Sequence, residues 1–185
     1  MKVLIDPGHG GKDPGAFERN CKESQLNLRD SLTLASMVFD GLGKNEVYLT
    51  RYCDCTLDPV ARKRLIQNIP HDVFLCIHHN AGPGNGFESF IKREPTEAEI
   101  RLQIQIHSAL RNTLAKYGMR DRGPQRKNFR VLTETTAPGI FLELGFMPHQ
   151  RDWNNIINPL FKTEVYYNIA GVIRNGSYNT PSSEA

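Results

Sequence analysis

With 185 residues, 39% hydrophobic and 23% charged, the chain suits one globular domain and lacks the bias of fibrous or disordered sequences. A net charge of +3 calls for no nucleic-acid partner, and Lys and Arg form no aromatic-interleaved basic patch. No apolar run approaches the ~20 residues of a membrane span, and no basic-then-apolar leader precedes MKVLI, so the chain is expected to stay where it is made unless something else exports it.

MKVLI (1–5) reads as a buried strand, followed by a Gly-rich loop to about residue 22. Leu28, Leu32, Ala35 and Phe39 recur at helical spacing and predict a helix over 24–42, closed by Gly43. VYLT (47–50) is the next strand. Asp58 as N-cap with Pro59 behind it opens a second helix carrying Ala61, Leu65 and Ile69 on one face. VFLCI (73–77) is a continuous apolar strand of the kind found inside a parallel sheet. FESFI (87–91) alternates and is expected to be more exposed. Thr96 and Glu99 form a capping box, opening a helix to about Tyr117 that Gly118 closes. FRVL (129–132) and IFLELGF (140–146) read as two more strands. Asn158 and Pro159 start a last helix with Leu160, Val165 and Ile169. Residues 176–185 form a polar tail expected to be disordered.

This alternation predicts an α/β fold: one domain over 1–175, with a twisted, mainly parallel (mixed) sheet of about six strands flanked by helices. In such sheets functional groups collect beyond the carboxyl ends of the strands. His9 follows the first strand there, His78 and His79 follow VFLCI, and Glu143 lies near the end of IFLELGF. Glu23, the last carboxylate of the opening loop, adds a fourth segment. Alternation puts Glu143 on the face opposite Ile140, Leu142 and Leu144. A charged Glu on a strand covered on both faces is costly unless a metal or a retained proton removes the cost.

The stretch IDPGHGG (5–11) fails as a phosphate loop. The P-loop pattern breaks at Asp6 and Asp13, and a dinucleotide GxGxxG starting at Gly8 breaks at Asp13. A metal fits better. Two imidazoles and a carboxylate make a catalytic zinc set, and a second carboxylate, for which Glu143 is the candidate, would handle the proton. The four cysteines, at 21, 53, 55 and 76, follow no zinc-ribbon spacing and read as reduced thiols, with Cys76 buried in a strand.

Eight pieces in chain order carry a family resemblance. They are VLIDPGHGGKDPGA (3–16), Lys22-Glu23, LTR (49–51), CIHHNA (76–81), GFESF (86–90), YGMRDRG (117–123), NFRVL (128–132) and PGIFLELGFM (138–147). The chain resembles the zinc-dependent N-acetylmuramoyl-L-alanine amidases of type 3, which hydrolyse the amide between N-acetylmuramic acid and L-alanine in peptidoglycan. The resemblance implies one zinc held by His9, Glu23 and His78, with Glu143 as the catalytic carboxylate. It implies a monomer whose partner is the peptidoglycan polymer. The family has Ala where this chain has His79, which leaves two adjacent histidines as ligand candidates; strand register favours His78. A chain of this kind resembles phage endolysins, cytoplasmic until released to the cell wall, or a piece of a larger secreted autolysin. Two other readings are a non-catalytic peptidoglycan-binding domain and a different zinc peptidase or deacetylase; the intact set of four residues argues against the first.

Overall fold

The computed structural model describes residues 1–39 and 44–179. In chain order the elements are β1 (Lys2–Pro7), β2 (Phe17–Glu18), β3 (Cys21–Lys22), α1 (Glu23–Val38), β4 (Glu46–Leu49), α2 (Pro59–Asn68) and β5 (Val73–Asn80). There follow β6 (Phe87–Ile91), α3 (Glu97–Lys116), β7 (Asp121–Arg126), α4 (Arg130–Glu134), β8 (Gly139–Phe146), α5 (Gln150–Ile157) and α6 (Pro159–Asn175). Three helices begin where their caps place them. Asp58 accepts from the amides of Val60 and Ala61, Thr96 and Glu99 close the capping box, and Asn158 accepts from Leu160 ahead of a first-turn proline.

The main sheet has six strands in the order β4-β1-β5-β8-β6-β7. The run from β4 to β8 is parallel, β6 lies antiparallel to β8, and β7 is parallel to β6. The fold is thus α/β with a mixed, mostly parallel sheet, and the continuous apolar strand β5 lies inside it as its sequence predicts.

The sheet's two faces differ. On one, Val3, Ile5, Leu75, Ile77, Ile140 and Leu142 pack against α1, α3 and α6 in the larger core. On the other, Leu4, Phe74, Cys76 and Phe141 meet little more than Ile66 of α2 and Leu132 of α4. The second face thins toward the carboxyl ends of β1, β5 and β8, and polar side chains take over there.

Several expectations need correction. FRVL is no strand: Phe129 precedes the short helix α4, and a four-residue apolar run fits either period. The sixth strand is β7, DRGPQR, an edge strand with one neighbour whose polar sequence carries no burial signal. FESFI is buried, because Ser89 hydrogen-bonds His107 and Gln103 while Glu88 pairs with Asn80 and Arg122. Helix α1 stops at Val38, with Phe39 already extended, and the expected end at 40–43 lies outside the described residues. Helix α5 went unpredicted. The polar tail begins with a 3-10 turn, Ser177–Asn179, that buries Tyr178 completely, while 180–185 lie outside the described residues.

Candidate metal centre

The first strand delivers His9. After Pro7 the chain turns sharply, and His9 sits in the left-handed region at φ 61°, a conformation uncommon for a residue with a side chain. Two guanidinium groups hold the backbone there. Arg51, 2% exposed, donates to the carbonyls of Pro7 (3.0 Å), Gly8 (2.8 Å) and Ser24 (2.8 Å). Arg62 pairs with Asp6 and donates to the carbonyls of Pro7 (3.1 Å) and His9 (2.8 Å). A second loop braces the turn: Gly11 N–H donates to Asp54 Oδ1 (2.9 Å) and Lys12 N–H to Thr56 Oγ1 (3.0 Å).

The hairpin β2–β3 delivers Glu23. Arg19 and Asn20 both have positive φ, 51° and 60°, the signature of a tight two-residue turn. Glu23 then becomes the first residue of α1. Its backbone amide donates to Ala16 O (2.8 Å), and Ala16 N–H donates to its Oε2 (2.9 Å). Strand β5 delivers His78, whose ring stacks on Phe141 of β8 at 4.4 Å between centroids.

These three residues converge. One ligand atom from each of His9, Glu23 and His78 lies within 4.8 Å of the others. Glu23 sits between the imidazoles, with Oε2 3.2 Å from His9 Nε2 and Oε1 2.9 Å from His78 Nδ1. The glycines are there for space: a Cβ on Gly8 would lie 2.0 Å from His78 Nε2, and one on Gly15 would lie 2.5 Å from Glu23 Oε2.

The donor set suits a zinc-like cation. Its chemistry is two nitrogens and a carboxylate, and two of the three donors, His9 and Glu23, have an outer hydrogen-bond partner that fixes their orientation, while the His78 ring is stacked on Phe141. His9 Nδ1 lies 2.9 Å from Asp13 Oδ2, and Asn27 Nδ2 donates to Glu23 Oε1 at 3.1 Å. Burial disfavours the Glu23 carboxylate, but hydrogen bonds from His78 and His9 outweigh this and hold its pKa well below the usual range. Burial lowers the His9 pKa, yet Glu23 and Asp13 raise it overall to about 9. Burial carries His78 the other way, below its ordinary value.

Glu143, on β8, lies directly opposite His78 of β5 on one side and Glu88 of β6 on the other. Its Oε2 is buried with no hydrogen-bond partner among the described residues. Burial, then the charges of Glu23 and Glu88, push its pKa well above the ordinary carboxylate value. Glu88 is occupied, accepting from Asn80 Nδ2 (2.9 Å) and from Arg122. Beside His9 and His78 a cleft of 470 Å³ opens between the His9 turn, α2 and α4.

His79 points the opposite way. It is 2% exposed, under the larger core, with Nδ1 2.9 Å from Asn27 Oδ1 and Nε2 3.2 Å from Asp30 Oδ2. It therefore joins no ligand cluster; it touches Glu23 through Asn27 and through its own backbone amide (3.3 Å). Sequence reasoning assigned no role to Asp13, Asn27, Arg51 or Arg62. Asn27, four residues after Glu23 on α1, was the most detectable of them, by its i,i+4 spacing.

A family model described as N-acetylmuramoyl-L-alanine amidase (Amidase_3) matches residues 3–175. The N-acetylmuramoyl-L-alanine amidase of Clostridium difficile 630 has a similar structure, with a TM-score of 0.87 at 28% identity, covering 97% of this chain and 98% of that one. The catalytic domain of CwlV, an N-acetylmuramoyl-L-alanine amidase from Bacillus (Paenibacillus) polymyxa var. colistinus, gives 0.83 at 31% identity, covering 94% and 96%. The amidase CwlM of Bacillus licheniformis is 34% identical over 161 residues; these make up 87% of this chain but only 62% of that protein, so the chain spans less than two thirds of it. No described helix is long and apolar enough to cross a membrane. Sequence and shape agree over nearly the whole described domain, and the chain belongs to the N-acetylmuramoyl-L-alanine amidase family.

Proposed function

We propose that the chain hydrolyses the amide between N-acetylmuramic acid and L-alanine in peptidoglycan, acting at the cell wall as a monomer with one zinc ion. His9, Glu23 and His78 hold the zinc in this reading. The observation that carries it is the convergence of those three donors beside Glu143, opposite His78 on the neighbouring strand, whose buried Oε2 has no hydrogen-bond partner among the described residues.

When bound, zinc supplies Lewis acidity toward a carbonyl oxygen and toward water. The chain's own residues do the rest. Asp13 holds the His9 ring through Nδ1, leaving Nε2 to face the ion; Ala16 and Asn27 hold the Glu23 carboxylate; Phe141 fixes the plane of His78. Glu143 accepts a proton from the attacking water as the new C–O bond forms. It returns that proton to the amine nitrogen as the C–N bond breaks. Burial and the neighbouring carboxylates of Glu23 and Glu88 hold its pKa above the ordinary carboxylate value, which favours its taking up a proton.

Purified peptidoglycan digested by zinc-loaded protein tests the reading by mass spectrometry. The expected products are intact glycan with a free lactyl carboxyl, and peptides that begin with a free alanine amine. Cleavage of glycosidic or peptide bonds instead would overturn it.

A further inference from the structure

Two loops meet beside His9. One is the turn at 8–12; the other joins β4 to α2 and carries Cys53, Asp54 and Cys55. Asp54 Oδ1 accepts from Gly11 N–H at 2.9 Å, and Thr56 Oγ1 accepts from Lys12 N–H at 3.0 Å. Arg51, which holds the carbonyls of Pro7, Gly8 and Ser24, also donates to the Cys53 carbonyl at 3.0 Å. The contact is backbone to backbone: a Cβ on Gly10 would lie 2.4 Å from Cys55 O. A shift of the chain at 53–55 therefore reaches the turn that presents His9.

Two thiols flank Asp54. Cys76 is buried and Cys21 half-buried, but Cys53 and Cys55 are exposed, and all four are free. The chain bends through 52–54 and the two side chains meet, so that hydrogen bonding to Cys55 raises the Cys53 thiol pKa. A disulfide needs Cα atoms about 5.5 Å apart, where two residues of extended chain span about 7 Å, so a bend of this kind is what the bond requires. We propose that Cys53 and Cys55 are a redox modification site, and that a reversible disulfide between them loosens the grip of Asp54 on the His9 turn. A small-molecule disulfide is the co-reactant. One protein thiolate attacks it, forming a mixed disulfide and releasing a thiol. The second thiolate attacks the protein sulfur of that mixed disulfide, closing the Cys53–Cys55 bond and releasing the other thiol. The protein gives up two electrons and two protons, and the reagent gains both. An exposed disulfide in so short a loop is labile, so a thiol reductant reverses the step. The new bond ties the backbone on either side of Asp54 and draws its carboxylate off Gly11.

Oxidised glutathione serves as the probe, removed before peptide mapping, amide exchange by NMR and zinc titration of the full chain. The expected product is a Cys53–Cys55 crosslink, with Cys76 still a free thiol, reversed by dithiothreitol. The Gly11 amide then exchanges faster than in the reduced protein, a readout that needs no metal. Zinc affinity falls about tenfold, a consequence that rests on the amidase reading. Cys53→Ser and Cys55→Ser keep the reduced protein's amide exchange and zinc affinity under the same treatment. Thiols that stay free, separate glutathione adducts on the two cysteines, or a crosslink that leaves Gly11 exchange or a measurable zinc affinity unchanged would overturn the proposal. So would an equal loss in the serine variants. Faster Gly11 exchange on crosslinking, in a protein that binds no zinc in either state, would support the switch and overturn the zinc reading instead.

Discussion

His78 and His79 are neighbours on one strand and face opposite sides of the sheet. His78 lies on the thinly covered face, with side-chain exposure of 16%, beside a cleft and 2.9 Å from Glu23. His79 lies under α1, with 1% exposure, between Asn27 and Asp30. The difference follows from the layers. Three helices fill the face below His79, so any polar group there must find its partners inside the protein. Among the described residues the other face is covered by the short helices α2 and α4 with Ile69 and Phe129 at their ends, and at its carboxyl edge the side chains of Asp6, His78, Glu88 and Glu143 collect. One face stabilises the fold; the other leaves space for chemistry.

The largest expected effect tests the thin face. Glu143→Gln keeps the shape but cannot take a proton, and should lower kcat by about 10²–10⁴-fold while leaving zinc content and melting temperature near wild type. Wild-type kcat in that variant would remove Glu143 from the mechanism.

Truncations on the two faces should differ in kind. Leu75→Ala, in the larger core, should cost about 2–5 kcal/mol in denaturant unfolding and leave zinc affinity unchanged. Phe129→Ala removes a partly exposed ring stacked 4.1 Å from Phe141, which itself carries the His78 ring. It should cost less, about 1–2 kcal/mol, and reduce kcat/KM by orienting His78 poorly. Equal stability losses, with activity untouched in both, would erase the contrast.

A smaller effect appears only in acid. Burial would raise the Asp30 pKa, but His79 and Arg29 hold it at about 2, against an ordinary value of 3.8. A depressed carboxylate pKa stabilises the fold above the unfolded value, and that contribution fades as pH falls from 3.8 to about 2. Asp30→Asn should lower stability at neutral pH and flatten this part of the curve. An unchanged slope would remove the His79–Asp30 pair from the stability of the thick face.

Local chemistry made much of this legible. Asp58-Pro59, the Thr96–Glu99 box and Asn158-Pro159 each fix a helix start with groups a few residues apart, so the sequence carries the full signal. The apolar run VFLCI marked an interior strand for the same reason. What was not legible depends on partners far along the chain. DRGPQR became a strand because β6 offers it an edge, and Glu88 and Ser89 are buried because Arg122 and His107 meet them. His9, His78 and Glu143 stood out as ligand types near strand ends, and Glu23 as the last carboxylate of the opening loop. The fate of His79 hung on Asn27 and Asp30, residues of α1 that nothing in their spacing linked to it.

Elemental analysis of the wild-type, His78→Ala and His79→Ala proteins after zinc loading and dialysis shows which of the two adjacent histidines holds the metal. About one zinc per chain is predicted for the wild type and for His79→Ala, which loses only an outer support worth about 10–100-fold in affinity, and none for His78→Ala. A wild type that binds no zinc, or a His79→Ala protein that loses it while His78→Ala retains it, would rule out a zinc centre built on His78.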